Sequence, residues 1–518
     1  MSTAPPHLVL LLGSASDLPH AQAFDKHLAA FNAEHGTGVR TVTRICSAHK
    51  NPAELDRIVA EYEATPAVLA YVTCVGRSNA LSAVVDGLTL RPVIAMPILS
   101  NDTMYDIYSS LRMPTGVAPM VVLGPANAFC AAMKLVAAHN TNVAEGLRRY
   151  KRKLCHKMHL DDTRCRYDAC DPHALAEYAR TAPGAAEAPQ EGEAWAFVRQ
   201  GKVRRLYRDT STTPATLVMR CSNQLSAFDR HLCDVPFKGI VLNEISRWWF
   251  KQTRDLVPNH VLDLDDVDHK LTDTMRVREL EPILVEFVVR GYVAGSTKTS
   301  IWKNYERGVR DYCGHTLPEG LRRYQKLPQN LVTPTTKGVV HDELISAADI
   351  VAQGLMTQAE WDQCEAYALR LFAFGQTTAA EHGMILVDTK YEFGKDPATG
   401  DIVLMDELHT PDSSRYWLQP SYHARLAAGD APEAIDKDIA RKWVQEQGLD
   451  PYDASVPITV PADVVAEVSR RYMQLYDLLT GEEFRVGVGG EAALALDAAG
   501  RQGAGGVVSG VGRGAVAV

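Results

Sequence analysis

The sequence predicts a three-layer α/β domain built on a parallel sheet, followed by a separate α+β domain. Three observations carry this reading. Between residues 7 and 140, apolar runs alternate with amphipathic helical segments, the pattern of strands covered by helices on both faces. At 181–193 the stretch TAPGAAEAPQEGE reads as a linker. Beyond Trp195 strand-like pieces dominate and long helices come only later.

In the first domain HLVLLLG is an apolar run closed by glycine, and SDLPHAQAFDKHLAAFNAEHG follows with helical spacing. VRTVTRI, the helical NPAELDRIVAEYEA, AVLAYVTCV, RPVIAMP, MVVLG and the helical PANAFCAAMKLVAAH continue the alternation. In such sheets ligands bind beyond the carboxyl ends of the strands, where the polar loops GSASD (13–17), SAHK (47–50) and GRSN (76–79) fall. A basic helical segment and the linker then occupy 151–194. In the second domain, 195–484, the pieces KVRRLYRD, ATLVMRCS and PILVEFVVRGY read as strands, and 357–382 and 461–480 as helices. The Gly/Ala-rich stretch 485–518 has little capacity to bury a core and is expected to be disordered.

The totals bound the function. The 518 residues are 46% hydrophobic and 23% charged, ordinary for globular domains. A formal net charge of −9 argues against a protein built to bind nucleic acid. No apolar run approaches the ~18 residues of a membrane span. The start, MSTAPPHLVLLLGSASD, has no basic leader, so neither a secretory signal nor a membrane partner is expected. The 10 cysteines form no disulfide framework and are read as reduced, in a cytoplasmic protein. Cys155, His156, His159, Cys165, Cys170 and His173 are metal-capable types, but they lack a C-x-x-C pair and read as a helical surface.

Gly13, Ser14, Ser16 and Asp17 lie where a strand turns into a helix. Backbone N–H groups and two hydroxyls there suit a phosphate, and Asp17 suits ribose hydroxyls; the same residues are also routine helix caps. His49 follows Ser47 in the next loop and precedes Lys50; it is a proton-moving group or an exposed loop residue. Arg77 offers a fork for an anion, and Ser78 and Asn79 add neutral hydrogen-bonding groups.

In the second domain ILVDTKYEF has β propensity, which puts Asp388, Lys390 and Glu392 on one face. KDPATGD turns the chain and IVLMDE returns, ending in Asp406 and Glu407. Carboxylates gathered so closely repel unless a cation lies among them. A magnesium–nucleotide site and a salt-bridged hairpin both satisfy that requirement. Gly201 and Lys202 between two strands can cover phosphates, and Arg290 with Gly295 and Ser296 suits an anion. PTTK (334–337) adds two hydroxyls and a lysine, and TPDSSRYW adds Asp412, Ser413 and Arg415.

GSASD, SAHK, GRSN and SSLRMPTG (109–116), in this order, resemble phosphoribosylaminoimidazole (AIR) carboxylase of the animal type, which takes carbon dioxide directly. The resemblance implies a flavodoxin-like fold and a cytoplasmic homo-octamer that works without biotin or flavin. It implies that His49 moves the proton at the imidazole carbon and that Lys50 and Ser78 hold the incoming carboxylate. Ser14, Ser16, Asp17, Ser47, Arg77 and Asn79 would line the ribotide site. Ala80 stands where the family has glycine, and MPIL where it has a Pro-Pro pair.

GK, SAFD (226–229), VVRGYVAGS, TPTTK, HDE (341–343), DTKYEFG and DELHTPDSSRYW together resemble SAICAR synthetase over about 197–484. That family joins carboxyaminoimidazole ribotide (CAIR) to L-aspartate using ATP and Mg2+. The resemblance implies that Glu392, Asp406 and Glu407 hold magnesium and that Lys202 and Lys390 contact ATP. Arg290, Ser296, Asp412, Ser413 and Arg415 would hold CAIR, and Ser226 and Asp229 lie near the site. Since CAIR is the product of one domain and the substrate of the other, the expectation is a bifunctional purine-biosynthesis enzyme. The alternatives are a first domain acting as a mutase on the N-carboxylated isomer, or a non-catalytic ligand-binding module.

Overall fold

The computed structural model describes residues 7–99, 101–168, 175, 194–201, 203–212, 216–227, 230–265, 271–337, 343–435, 440, 443–444, 446–447 and 458–484. The readings placed on Cys170, His173, the 181–193 linker, Lys202, Asp229, His341, Asp342 and the 485–518 tail lie outside these residues. The chain divides into two compact units, Met1–Cys155 and His156–Val518.

The first unit is organised by β1 (Leu8–Leu12), five buried aliphatic residues in a row. A strand this apolar has no solvent face, so it needs a neighbouring layer on each side. Its partners are β2 (Thr41–Ile45), β3 (Ala70–Gly76), β4 (Val93–Ile98) and β5 (Met120–Val121), in the order β2-β1-β3-β4-β5 with every pairing parallel. Helices α1 (Leu18–His35), α2 (Pro52–Glu63), α3 (Ala80–Leu88), α4 (Tyr108–Leu111), α5 (Pro125–Ala137) and α6 (Thr141–Asp168) complete the series. Alternation splits β1 between two cores. Leu8, Leu10 and Leu12 pack with Phe24 and Phe31 of α1 and Phe129 and Met133 of α5. Val9 and Leu11 pack with Leu55 and Ile58 of α2 and Leu81 and Val85 of α3. This is a three-layer, flavodoxin-like sheet, and its strand order reverses between β1 and β3. MVVLG contributes only a two-residue edge strand. In α6, Val143 and Leu147 join the first unit's core, whereas Leu160 and Tyr167 join that of the second.

The second unit is α+β. β6 (Trp195–Gln200), β7 (Arg204–Asp209), β8 (Thr216–Cys221) and β11 (Thr274–Val277) form an antiparallel sheet in the order β11-β8-β7-β6, and β9 (Gln224–Ala227) and β10 (Arg230–Asp234) form a ribbon. A larger sheet contains β12 (Glu281–Pro282), β13 (Val285–Tyr292), β16 (Lys326–Val332), β17 (Thr335–Thr336), β18 (Glu343–Leu344), β19 (Met384–Lys395), β20 (Ile402–Met405) and β21 (Ser414–Leu418). The short pair β14 (Asp311–Tyr312) and β15 (His315–Thr316) stands apart. β19 is the hub, pairing antiparallel with β12, β13, β20 and β21. Helix Gln358–Glu381 packs on β19 through Leu371 and Phe372, opened by a Thr357/Glu360 capping box. Helices Lys238–Thr253 and Ala462–Thr480 add Trp249, Phe250, Tyr472 and Leu475 to the same core.

Candidate functional sites

In the first unit the three polar loops follow β2, β1 and β3, which are adjacent in the sheet and parallel. All three therefore emerge at one edge, beside the point where the strand order reverses. Ser14 opens the first loop: its Oγ accepts from Ser16 N at 3.2 Å, and its N–H donates to Asp17 Oδ2 at 2.9 Å. The two hydroxyls lie 2.5 Å apart. A side chain at Gly13 would force a shift, since a Cβ would stand 2.8 Å from Val75 Cγ2. Ser47 caps the second loop by accepting from Lys50 N, and His49 and Lys50 are exposed beyond it. In the third loop Arg77 takes a left-handed backbone, φ 59°, sparsely populated for residues other than glycine.

Asn79 is held by protein partners. Its Nδ2 donates to Ser110 Oγ at 2.7 Å, its Oδ1 accepts from Ser82 N and Oγ, and it is buried. Its backbone N–H donates to Ser109 Oγ, which itself donates to the Arg77 carbonyl. Asn79 thus caps α3 and ties the Arg77–Ser78 turn to the SSLRMPTG segment; its amide is committed to protein groups, not held open for a ligand. Ser109 and Ser110 are the partners that sequence reasoning left without a role.

In the second unit, strand register builds the site. Arg290 on β13 faces Asp388 on β19, which faces Arg415 on β21. Two arginines thus flank one carboxylate, Arg415 at 2.7 Å and Arg290 at 3.6 Å. Arg290 is further held by Thr333 Oγ1 and the Thr299 carbonyl. Gly295 (φ 100°) closes one side: a Cβ would meet Ser300 Cβ at 2.4 Å and lie 3.6 Å from an Arg415 nitrogen. Ser296 follows it in the same turn.

Two residues along, Lys390 Nζ donates to Glu286 at 2.8 Å and Glu392 at 2.6 Å. Lys337, from the PTTK segment, also donates to Glu392. Glu392 pairs across from Met405, so the β19–β20 hairpin brings Asp406 and Glu407 beside it. Arg204 of β7 bonds Asp406 at 3.2 Å and Glu407 at 2.6 Å. Burial opposes ionisation of Glu392, yet Lys390 and Lys337 outweigh it and hold that carboxyl low. Burial likewise opposes Glu407, and Arg204 with Thr410 overcomes it. Asp406 goes the other way: burial raises its carboxyl and Arg204 does not fully offset this, because Glu392 and Glu407 push with burial. Asp406 also takes φ 70°, and His409, three residues on, takes φ 50° while accepting or sharing a 2.5 Å contact with the Tyr391 hydroxyl.

Glu407 accepts from Arg204 and Thr410, Asp406 from Arg204 as well, and among the described residues no group of three or more His, Cys, Asp or Glu could hold a metal ion. The same holds for the helical Cys155, His156, His159 and Cys165, which form no such group. Asp412 has both carboxylate oxygens engaged, one by Lys238 at 2.8 Å and one by the Tyr472 hydroxyl at 2.6 Å. The Ser413 carbonyl accepts from the Lys390 backbone N–H at 3.1 Å. Arg204, Glu286, Lys238 and Asp388 were not assigned roles from sequence. A lone glutamate in the apolar strand LVEFVV was the available signal for Glu286, because buried acids need partners.

Fold and sites together define a two-domain enzyme, with a polar loop cluster at a parallel-sheet edge and a lysine–carboxylate floor in an α+β unit. Comparison with known proteins specifies it. A SAICAR synthetase family model matches residues 197–456, and an AIR carboxylase model matches 7–157. Phosphoribosylaminoimidazole-succinocarboxamide synthase of Legionella pneumophila is 50% identical over 285 residues, 55% of this chain and 88% of that protein. A solved SAICAR-synthase from Saccharomyces cerevisiae, complexed with SAICAR, is 30% identical and is covered over 99% of its length by 58% of this chain, with a TM-score of 0.48. Treponema denticola PurE is 37% identical over 98% of its chain and 31% of this one, with a TM-score of 0.29. The chain belongs to the SAICAR synthetase family and carries an AIR carboxylase domain ahead of its synthetase domain. No helix among the described residues is long and apolar enough to cross a membrane.

Proposed function

We propose that the first domain carboxylates AIR with carbon dioxide to give CAIR, and that the second joins CAIR to L-aspartate at the expense of ATP. The observation that carries the second half is the row Arg290–Asp388–Arg415 beside the floor Lys390–Glu392–Asp406. An anion clamp next to a cation-rich carboxylate floor suits a phosphorylated, carboxylated substrate lying against a nucleotide.

In the first domain the Ser14–Asp17 turn and Arg77 would take the ribose phosphate. Lys50 would place positive charge where the new carboxylate forms, with Ser78 beside it. His49, exposed on its loop, would remove the proton from the imidazole carbon. No ATP is needed, because an aminoimidazole carbon is electron-rich enough to attack carbon dioxide. Met104, Tyr105, Tyr108 and Leu111 expose apolar surface from one short segment, which supports assembly of this domain with copies of itself, up to the octamer.

In the second domain Arg290, Ser296, Ser413 and Arg415 would hold CAIR, and Lys390 with Lys202 would meet the ATP phosphates. Asp406 is acidic and partly buried, and burial together with Glu392 and Glu407 raises its carboxyl against the pull of Arg204. A divalent cation would relieve that repulsion, so the donors fit magnesium held by Glu392 and Asp406 together with phosphate oxygens and water. The ion would supply charge neutralisation for the transferring phosphoryl group. A carboxylate is a poor electrophile; phosphorylation of the CAIR carboxylate makes the carbon open to the aspartate amine, and phosphate leaves. The chain supplies position and charge, not a nucleophile.

One reaction mixture tests both halves: AIR, bicarbonate, aspartate, ATP and magnesium, with each left out in turn. SAICAR should form only from the full set, and CAIR should accumulate when aspartate is absent. No product from AIR and bicarbonate, with product restored by the N-carboxylated isomer, would make the first domain a mutase.

A further inference from the structure

We propose that the helix Ala462–Thr480 is a working part of the ligase site, with Tyr472 and Lys238 as positioning residues for the turn that precedes Arg415. The inference rests on the ligation reading above. The helix lies beyond the residues matched by the SAICAR synthetase model, which ends at 456.

Lys238 opens a helix and is fully buried, at 0% exposure. An ammonium group in such a place is costly unless it is paired. Its Nζ lies 2.8 Å from Asp412 Oδ2 and 5.9 Å from the centre of the Tyr472 ring. The Tyr472 hydroxyl donates to the other oxygen, Asp412 Oδ1, at 2.6 Å. Two helices more than 200 residues apart in sequence therefore grip one carboxylate. They are also fixed to each other's approaches, since Ser469 Oγ donates to the Pro236 carbonyl at 2.8 Å.

Asp412 sits in a turn whose neighbouring residues bond to groups of the site. Thr410 Oγ1 accepts from the N–H groups of Asp412 and Ser413, each at 3.3 Å, and donates to Glu407. The Ser413 carbonyl accepts from Lys390 N at 3.1 Å. Ser414 Oγ is 2.7 Å from Thr389 Oγ1, and the next residue, Arg415, reaches Asp388. The turn is thus the bridge between the phosphate floor and the anion clamp, and Asp412 is the point at which the distant helix holds it. Had the buried pair only a packing role, its loss would lower the fraction of folded protein and leave the affinity of each ligand in the remainder untouched.

The test is titration calorimetry on the full chain with CAIR and, separately, with ADP, followed by steady-state ligation. Tyr472→Phe keeps the ring and deletes one charge-assisted hydrogen bond. It is expected to weaken CAIR binding on the order of tenfold, raise the KM for CAIR by a similar factor, and leave ADP affinity within about twofold. Lys238→Met alone strands a buried anion and is expected to fold poorly. Lys238→Met with Asp412→Asn removes both charges, restores a neutral interior, and should show the same selective loss of CAIR affinity. Wild-type CAIR affinity in both Tyr472→Phe and the double variant would overturn the positioning role while leaving ligation intact. A wild-type chain that makes no amide from CAIR would overturn the ligation reading and this inference with it.

Discussion

Asp477 provides a quantitative test of how the second unit is held together. It lies near the end of helix Ala462–Thr480 with 1% of its surface exposed. Tyr167 Oη donates to it at 2.9 Å, Phe484 N–H at 2.8 Å, and Arg166 approaches at 3.2 Å. Burial pushes its carboxyl up to about 6; the Phe484 N–H, Tyr167 and Arg166 pull it down, and Glu483 adds a small push upward. An unfolded aspartate titrates near 3.9. The folded state therefore holds this proton more tightly than the unfolded state. Its contribution to stability is complete below about pH 4 and is lost as pH rises through about 6. Two pH units at ~1.4 kcal/mol each make the total loss about 3 kcal/mol, of which roughly half falls above pH 5. Asp477→Asn removes the titration and keeps an oxygen for the Phe484 N–H, though it gives up the ion pair at every pH. The difference in stability between variant and wild type should accordingly move in the variant's favour by about 1.4 kcal/mol from pH 5 to pH 7.5. Scanning calorimetry of the full chain would read this as a relative shift of roughly 3 °C or less in the second unit's transition, recognised by its response to ADP. Parallel pH curves for the two proteins would refute the assignment of a raised, buried carboxyl.

Asn79→Ala strips the cap of α3, strands the Ser110 hydroxyl and leaves Ser82 with Thr73 alone, so the first unit should lose about 2–3 kcal/mol; carboxylation should fall while ligation of supplied CAIR stays unchanged, checked by assaying the two steps separately. Arg204→Met leaves Glu407 and Asp406 without their shared cation, at a cost of about 3–5 kcal/mol. With Arg204 gone Asp406 rises further, so the acid limb of the ligation pH profile should move to higher pH. Gly13→Ala drives a methyl to within 2.8 Å of Val75 Cγ2 and should cost about 1–3 kcal/mol with weaker AIR binding; adding Val75→Ala should return most of both, as measured by melting and by ribotide titration.

The layering of the first unit was readable because Leu8–Leu12 admits no solvent face, and the β19–β20 hairpin because Asp388, Lys390 and Glu392 alternate with the β-prone Thr389, Tyr391 and Phe393. Partners were harder. Local spacing places Glu392 near Asp406, but nothing local says that Arg204, some 200 residues earlier, closes on Asp406 and Glu407. Asp412 shows the same limit: its neighbours Ser413 and Arg415 mark an anion site, whereas Lys238 and Tyr472, which take up its charge, come from remote helices. Asn79 shows it too: capping and ligand binding draw on the same side chain, and its partner Ser110 is not evident from local spacing. MVVLG shortened to Met120–Val121, which pairs only with Ile94 and Ala95 of β4.

The hub role of β19 has a consequence for biosynthesis. The first unit's sheet is closed once the ribosome has passed residue 121, with every pairing reaching back a short way along the chain. The second sheet waits for Ser414–Leu418, because its central strand takes neighbours from both earlier and later sequence. At ordinary translation speed the interval is roughly 15–60 s. The leading domain can thus be finished and waiting on the nascent chain while its companion still exposes unpaired strand edges, which puts the longer exposure to misfolding in the trailing half.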